Sequence, residues 1–167
     1  GDPNPDLYGG FGTTLNVYGF NLSAQFSYTI GGKTYDYGYA GIMANPTASS
    51  VGNRWHKDIA DAWSPENTGS NIPRWYFNDL YTTGMSDRFL MDGSYLSLQN
   101  VQVGYTIPKK YTSYLGIDNL RLYFVCDNVY YWSKRKGLDP RRSYKGEGAS
   151  GKISPLRTFT GGISLQF

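Results

Sequence analysis

The chain has 167 residues, with 16 Lys plus Arg against 13 Asp plus Glu, a single Cys, 21 Gly and an aromatic share of 17%. A net charge of +3 with both signs interspersed argues against a nucleic-acid binder, which would show a basic stripe. The lone Cys126 excludes a disulfide framework and any Cys-based zinc site. No stretch approaches the roughly 18 apolar residues of a transmembrane helix, and the mean hydropathy of −0.48 is that of an ordinary water-exposed domain. The first residue is Gly1 and no basic-then-apolar leader precedes it, so the expectation is a processed chain or a piece of something longer.

Strand-type alternation dominates the chain in order. Residues 11–18 set Phe11, Leu15 and Val17 against Gly12, Thr14 and Asn16. Residues 20–31 alternate without a break, with Phe20, Leu22, Ala24, Phe26, Tyr28 and Ile30 on one face. The Tyr18-Gly19-Phe20 corner between the two runs predicts a hairpin. The stretch 32–93 is long and polar. Its one helix-like piece, residues 54–63, brings Trp55, Ile59 and Trp63 into i+4 spacing.

A third strand is expected over residues 95–107, with Val101, Val103, Tyr105 and Ile107 on one face. Leu96 and Leu98 fall on the other parity, which predicts a bulge near Gln99-Asn100 or an upper half turned inward. A fourth strand, 119–132, aligns Leu120, Leu122, Phe124, Cys126, Tyr130 and Trp132. Cys126 there is expected to act as a small hydrophobe. After a second long polar stretch, 133–156, a fifth strand over 157–167 carries Phe159, Ile163, Leu165 and Phe167.

If these strands are antiparallel, every short turn falls at one end and every long loop at the other. Transmembrane β-strands are about 9–11 residues long, apolar outside and polar inside, with short turns on one side and aromatic girdles at the interfaces. Tyr28, Tyr105, Tyr130, Tyr131 and Trp132 lie near strand ends, as a girdle requires. A soluble β-sandwich also alternates, so periodicity admits two architectures. In the sandwich Leu120, Leu122 and Phe124 are buried against a second sheet, and in a barrel wall they face lipid. The first predicts a carbohydrate-binding module with a tryptophan platform.

Motifs tilt the choice. The run Asp87-Arg88-Phe89-Leu90-Met91-Asp92-Gly93-Ser94-Tyr95-Leu96, then Val103-Gly104-Tyr105-Thr106-Ile107-Pro108, resembles the near-C-terminal segment of SusC/RagA-type TonB-dependent outer-membrane transporters. So do Gly116-Ile117-Asp118-Asn119-Leu120-Arg121 with Asp127-Asn128-Val129-Tyr130, Gly137-Leu138-Asp139-Pro140, and Pro155-Leu156-Arg157-Thr158-Phe159 through Phe167. Upstream, Gly1-Asp2-Pro3-Asn4-Pro5 and Trp63-Ser64-Pro65-Glu66-Asn67-Thr68 resemble the same family. Cys126 and the Asp127-Asn128-Val129 triplet depart mildly from the family pattern.

The resemblance implies an all-β architecture: about five C-terminal strands of an antiparallel transmembrane barrel, 22-stranded and plugged in large transporters of this class. The whole of 1–167 is then barrel wall, with outer loops 32–93 and 133–156, and the plug and TonB-contacting segment are absent. The implied role is import of oligosaccharides or oligopeptides across the outer membrane of a Gram-negative, Bacteroides-type cell, with a SusD-like surface lipoprotein as lid and energy through TonB. Partners are the remaining strands and plug, outer-membrane lipid and the cargo. Phe167 is expected to be the C-terminus that closes the barrel.

Within the chain, Trp55, Trp63, Trp75 and Tyr76 are the candidate cargo contacts, since flat rings suit the apolar faces of sugars or peptide side chains. Tyr35, Tyr37 and Tyr39 extend that aromatic set. Gln25, Gln102, Arg121 and Asp127 are expected to face the lumen. Lys134, Arg135, Lys136, Arg141, Arg142 and Lys145 form one basic cluster that suits acidic cargo, lipopolysaccharide phosphates or mere solvation. No enzyme is expected. His56 is the only histidine, so neither a Ser-His-Asp triad nor a two-His metal site can be built within the chain, and no cofactor is expected.

Overall fold

The computed structural model describes residues 1–48, 55–79, 84–134, 139–142 and 154–167. The strands are β1 (Leu7–Val17), β2 (Phe20–Ile30), β3 (Lys33–Tyr35), β4 (Leu90–Asp92), β5 (Tyr95–Ile107), β6 (Asn119–Ser133) and β7 (Thr158–Gln166). Five of them form one antiparallel sheet in the order β1-β2-β5-β6-β7, and β3 pairs only with β4. The five long strands run 11, 11, 13, 15 and 9 residues, the length that crosses a bilayer. β1 begins at Leu7 rather than Phe11, because Tyr8, Gly9 and Gly10 continue its pairing with β2 up to Ile30.

The first hairpin turns on Tyr18 (φ 47) and Gly19 (φ 88), the two positive-φ positions that match the right-handed twist of the flanking strands. Gly19 is required twice over, since a Cβ there would sit 2.8 Å from the Thr106 carbonyl oxygen. Thr106 also donates its N–H to the Gly19 carbonyl at 2.8 Å, tying the turn to β5. The other short connection, from Pro108 to Asp118, holds helix α2 (Lys109–Thr112) and lies at the same end. Both long connections therefore leave from the opposite end.

Cross-strand rows decide the faces. Leu15, Leu22, Val103 and Phe124 are paired in one row, and Val17, Phe20, Tyr105, Leu122 and Ile163 in the next. The bulge falls at Gln99: Leu98 pairs with Phe26 and Asn100 with Gln25, leaving Gln99 opposite nothing on β2. That extra residue inverts parity, so Leu96 and Leu98 rejoin the apolar face rather than turning inward. On β6 the matching step runs from Asp127 to Tyr130, with Asn128 at φ 51.

This apolar face is uncovered. Leu22, Val103, Phe124, Phe159 and Ile163 are 41%, 40%, 49%, 62% and 65% exposed. Among the described residues the second sheet is only the β3–β4 ribbon, and Leu122 and Phe124 are 40% and 49% exposed, so the sandwich arrangement, with both buried between sheets, is overturned. Cys126 is buried on the same row as Val101 and Phe159, as a small hydrophobe would be.

The hydrophobic core lies elsewhere, in the loop module between β2 and β5. Tyr35, Met43 and Phe89 form its centre, with Tyr37, Tyr39, Ala40, Ile59, Ile72 and Leu90 packed around them. Helix α1 (Tyr37–Met43) lies outside the helix-like piece at 54–63; Asp36 caps it by accepting the Tyr39 N–H at 2.9 Å. Within residues 54–63 the helical turn is restricted to a 3-10 segment, Lys57–Asp61, and residue 54 lies outside the described residues. No helix is long and apolar enough to cross a membrane among the described residues.

Candidate functional site: the polar face and the outer loops

Strand alternation sends the polar partners of those rows to the opposite face. Gly12, Gln25, Asn100, Asp127 and Thr158 make one row there; Thr14, Ser23, Gln102, Val125 and Thr160 make the next. Arg121 pairs with Thr106 and Ser164 nearer the short turns. Gln25, Gln102, Arg121 and Asp127 thus share one face. The face is internally bonded: Asn100 donates Nδ2–H to Asp127 Oδ1 at 2.7 Å, and Arg121 donates to Asn21 Oδ1 at 3.3 Å.

Two glycines shape that face. The Arg121 guanidinium lies across Gly104, where a Cβ would come within 3.0 Å of Nη2, and the Tyr123 ring fills the space a Cβ on Gly162 would need. Glycine in a strand interior often marks such close approach.

At the long-loop end residues 139–142 lie against this face. Arg141 forms a two-point pair with Asp139, Nε to Oδ1 at 2.8 Å and Nη2 to Oδ2 at 2.7 Å. It also donates to Ser97 Oγ at 3.0 Å and stacks 4.6 Å from the Tyr131 ring centre. Asp139 is buried and Arg141 largely so, the side chains 4% and 11% exposed, and Ser97 is fully buried. Burial pushes the Asp139 carboxyl up, but the Arg141 hydrogen bonds and charge outweigh it and hold the group below its ordinary value. Tyr131 therefore belongs to the polar side: it pairs with Ser97, not with the girdle. Beside this latch is a cleft of about 370 Å³ lined by Tyr8, Thr29, Gly32, Tyr95, Pro140 and Arg141, among others.

The four aromatic cargo candidates are divided by the fold. Trp55 and Trp75 meet edge-to-face, 5.4 Å between ring centres. Tyr76 lies under the Arg74 guanidinium at 5.7 Å, and Arg74 is paired with Asp79 at 3.1 Å. Trp63 stands apart in bonding, its N–H held by the Ile72 carbonyl at 2.8 Å, and it is 42% exposed. Tyr35, Tyr37 and Tyr39 serve the loop core. What the sequence did not disclose is buried Asn45, which donates to the Asp79 carbonyl at 2.9 Å and accepts the Tyr76 N–H at 3.4 Å, clamping the aromatic turn.

Chemistry-bearing groups are engaged structurally. Asp58 accepts from the Tyr39 hydroxyl at 2.7 Å, and His56 Nδ1 accepts the Asp58 N–H at 3.2 Å. No group of three potential metal-ligating side chains occurs among the described residues. Of the basic cluster, Arg135, Lys136 and Lys145 and the side chain of Arg142 lie outside the described residues.

An uncovered apolar face backed by a polar one, with short turns at one end and built loops at the other, defines a segment of outer-membrane β-barrel wall. No family model matches the chain. Its sequence is 28% identical over 177 residues to TonB-dependent receptor P3 and 29% over 176 residues to TonB-dependent receptor P26, both of Formosa agariphila. Each alignment takes in 100% of this chain and 17% of the receptor. TonB-dependent receptor SusC of Bacteroides thetaiotaomicron is 36% identical over 86 residues, half of this chain and 8% of that protein.

In fold it is similar to the RagAB peptide transporter, with a TM-score of 0.82 at 22% identity over 99% of this chain and 18% of that one. A 'closed-closed' RagAB peptide importer gives the same TM-score over 98% of the chain. The resemblance to SusC/RagA-type TonB-dependent transporters thus runs the whole length of the chain, which spans about a sixth of those relatives. The relatives are receptors and transporters, not enzymes.

Proposed function

We propose that the chain is the C-terminal barrel wall, with two outer loops, of a TonB-dependent importer that takes up oligosaccharides or oligopeptides. The observation that carries this is the inversion of burial: the large side chains of the sheet are exposed while the hydrophobic core sits in the loop module. An isolated water-exposed sheet of this size with neither face covered would leave a greasy patch far beyond the few hundred Å² that monomers tolerate. Lipid outside and a wet, plug-filled lumen inside remove the conflict.

The free edges of β1 and β7 accept the neighbouring strands of the same barrel, and Phe167, beyond the end of β7, takes part in closure. Gln25, Gln102, Arg121 and Asp127 face the lumen. Trp55, Trp75 and Tyr76, presented by the clamped loop module, contact cargo or the lid, with Trp63 beside them. A SusD-like lipoprotein serves as that lid, and TonB acts through a segment not contained in these residues. The cell is a Gram-negative of Bacteroides type. The RagAB neighbours are a peptide transporter and importer, which supports an oligopeptide as one cargo class.

The test is uptake by cells carrying the full-length transporter. Disrupting it should abolish entry of labelled oligopeptides or of labelled oligosaccharides. Trp75→Ala should lower that uptake while the amount of assembled barrel stays constant. Undiminished uptake of both cargo classes in the disrupted strain would contradict the proposal.

A further inference from the structure

The outward face carries a feature that a uniform lipid-facing wall does not need. At the long-loop ends of β2, β5 and β6 lies a shallow cleft of about 430 Å³ with an almost wholly apolar lining. Its floor is a single cross-strand row, Tyr28, Leu96 and Trp132, flanked by Ile30. Tyr130 packs edge-on to Trp132, ring centres 4.8 Å apart, and fixes one wall. These are the three central strands of the sheet, so no neighbouring strand can cover the cleft from outside.

The rim is charged. Lys134 closes the cleft just beyond the end of β6. Its ammonium donates to Asp92 Oδ2 at 2.6 Å while 72% of the side chain stays exposed. Asp92 in turn accepts the N–H of Ser94 at 2.9 Å and the Ser94 hydroxyl. The Lys134 and Ser94 hydrogen bonds hold this carboxyl far below the usual carboxylate range, so it stays ionised as an anchor. One of the three ammonium donors is thereby used to fix the head, and two remain directed to solvent.

We propose that this cleft binds one phosphorylated glycolipid of the outer leaflet. An acyl chain lies along Tyr28, Leu96 and Trp132, and the headgroup phosphate is met by the free donors of Lys134. An apolar trough ending in an aromatic rim and a fixed cation matches an amphiphile whose chain-to-phosphate boundary falls at the membrane surface. The cleft runs on through Tyr28 to Phe11, ring centres 6.4 Å apart, in a row where Phe11 is exposed and Phe26 half-buried, which selects lipid over a water-borne anion. The inference rests on the wall facing lipid.

The experiment uses the full-length transporter in phosphatidylcholine nanodiscs, with lipid A as the probe and bound lipid counted by native mass spectrometry. Wild type should retain one lipid A more than Trp132→Ala, and Lys134→Gln should retain about fivefold less, the effect of one surface cation. Lys134→Arg should restore retention, and Ile163→Ala, far down the wall, should behave as wild type. Equal loss in Ile163→Ala would show only a general lipid annulus and overturn the site while leaving the wall intact. Competition by inorganic phosphate at equal strength, or a second copy of the chain seated on the cleft in cross-linking, would also overturn it. If no lipid is retained and a spin label at position 163 is reached by a water-soluble nickel complex, the wall itself is wrong.

Discussion

Gly162 and Tyr123 show how much of the polar face rests on single side chains. They are register partners on β7 and β6, and the ring occupies the position a β-carbon would take. Gly162→Val should therefore destabilise the assembled barrel by about 1–3 kcal/mol through overpacking. Tyr123→Ala in the same chain should recover most of the loss. Heat-dependent unfolding of full-length single and double variants in detergent measures both, and additive losses would contradict the packing. The glycine was visible in sequence, but its reason was not: alternation tells which face a residue is on, and the register alone tells which residue across the sheet it must admit.

The Asp139–Arg141 pair makes the same point with charge. Asp139-Pro140 was legible as a motif, whereas the return of Arg141 onto Ser97 and Tyr131 was not, because a loop's path carries no period. Removing one member of a buried pair strands the other, at a cost of about 3–5 kcal/mol. Arg141→Ala should then loosen the last loop, seen as faster hydrogen exchange at Ser97 and Tyr131. The Asp139 pKa is depressed in the fold, so its contribution is complete above the unfolded value near 3.9 and is lost as pH falls through the lower folded value. The stability difference between wild type and Asp139→Asn should stay constant from about pH 8 to 5 and shrink only below about 4. A difference that vanishes near neutrality would contradict the pairing.

Among the elements, β5 carries the most consequence. The mismatch of Leu96 and Leu98 with Val101 and Val103 was legible, and both a bulge and an inward turn satisfied it. The structure places the extra residue at Gln99, with Leu98 on Phe26 and Asn100 on Gln25. Deleting Gln99 would make Leu98 and Asn100 consecutive opposite Phe26 and Gln25, restoring strict alternation with Leu96 and Leu98 still on the apolar face. The full-length deletion variant should therefore still assemble, measured as retention of the folded band in unheated gels. Loss of that band would contradict the assignment of Gln99 as the extra residue. The strands were legible because two-residue periodicity is read locally. The loop module was less so: α1 depends on Asp36 and on packing against Phe89, neither of which repeats.

At the scale of the molecule, a five-stranded sheet has placed its apolar residues outward and its hydrophobic core in a loop. This is the arrangement of a wall between lipid and lumen, and composition hides it because half-polar strands average to a modest hydropathy. The sequence resemblance and the fold agree on that wall, and the chain spans about a sixth of the relatives it matches. The most direct measurement is spin-label accessibility in the full-length transporter reconstituted in bilayers. Labels at Leu22, Val103, Phe124 and Ile163 should collide with dissolved oxygen far more than with a water-soluble nickel complex. Labels at Gln25, Gln102 and Thr160 should show the reverse. Equal access of the nickel complex to both sets would contradict the account.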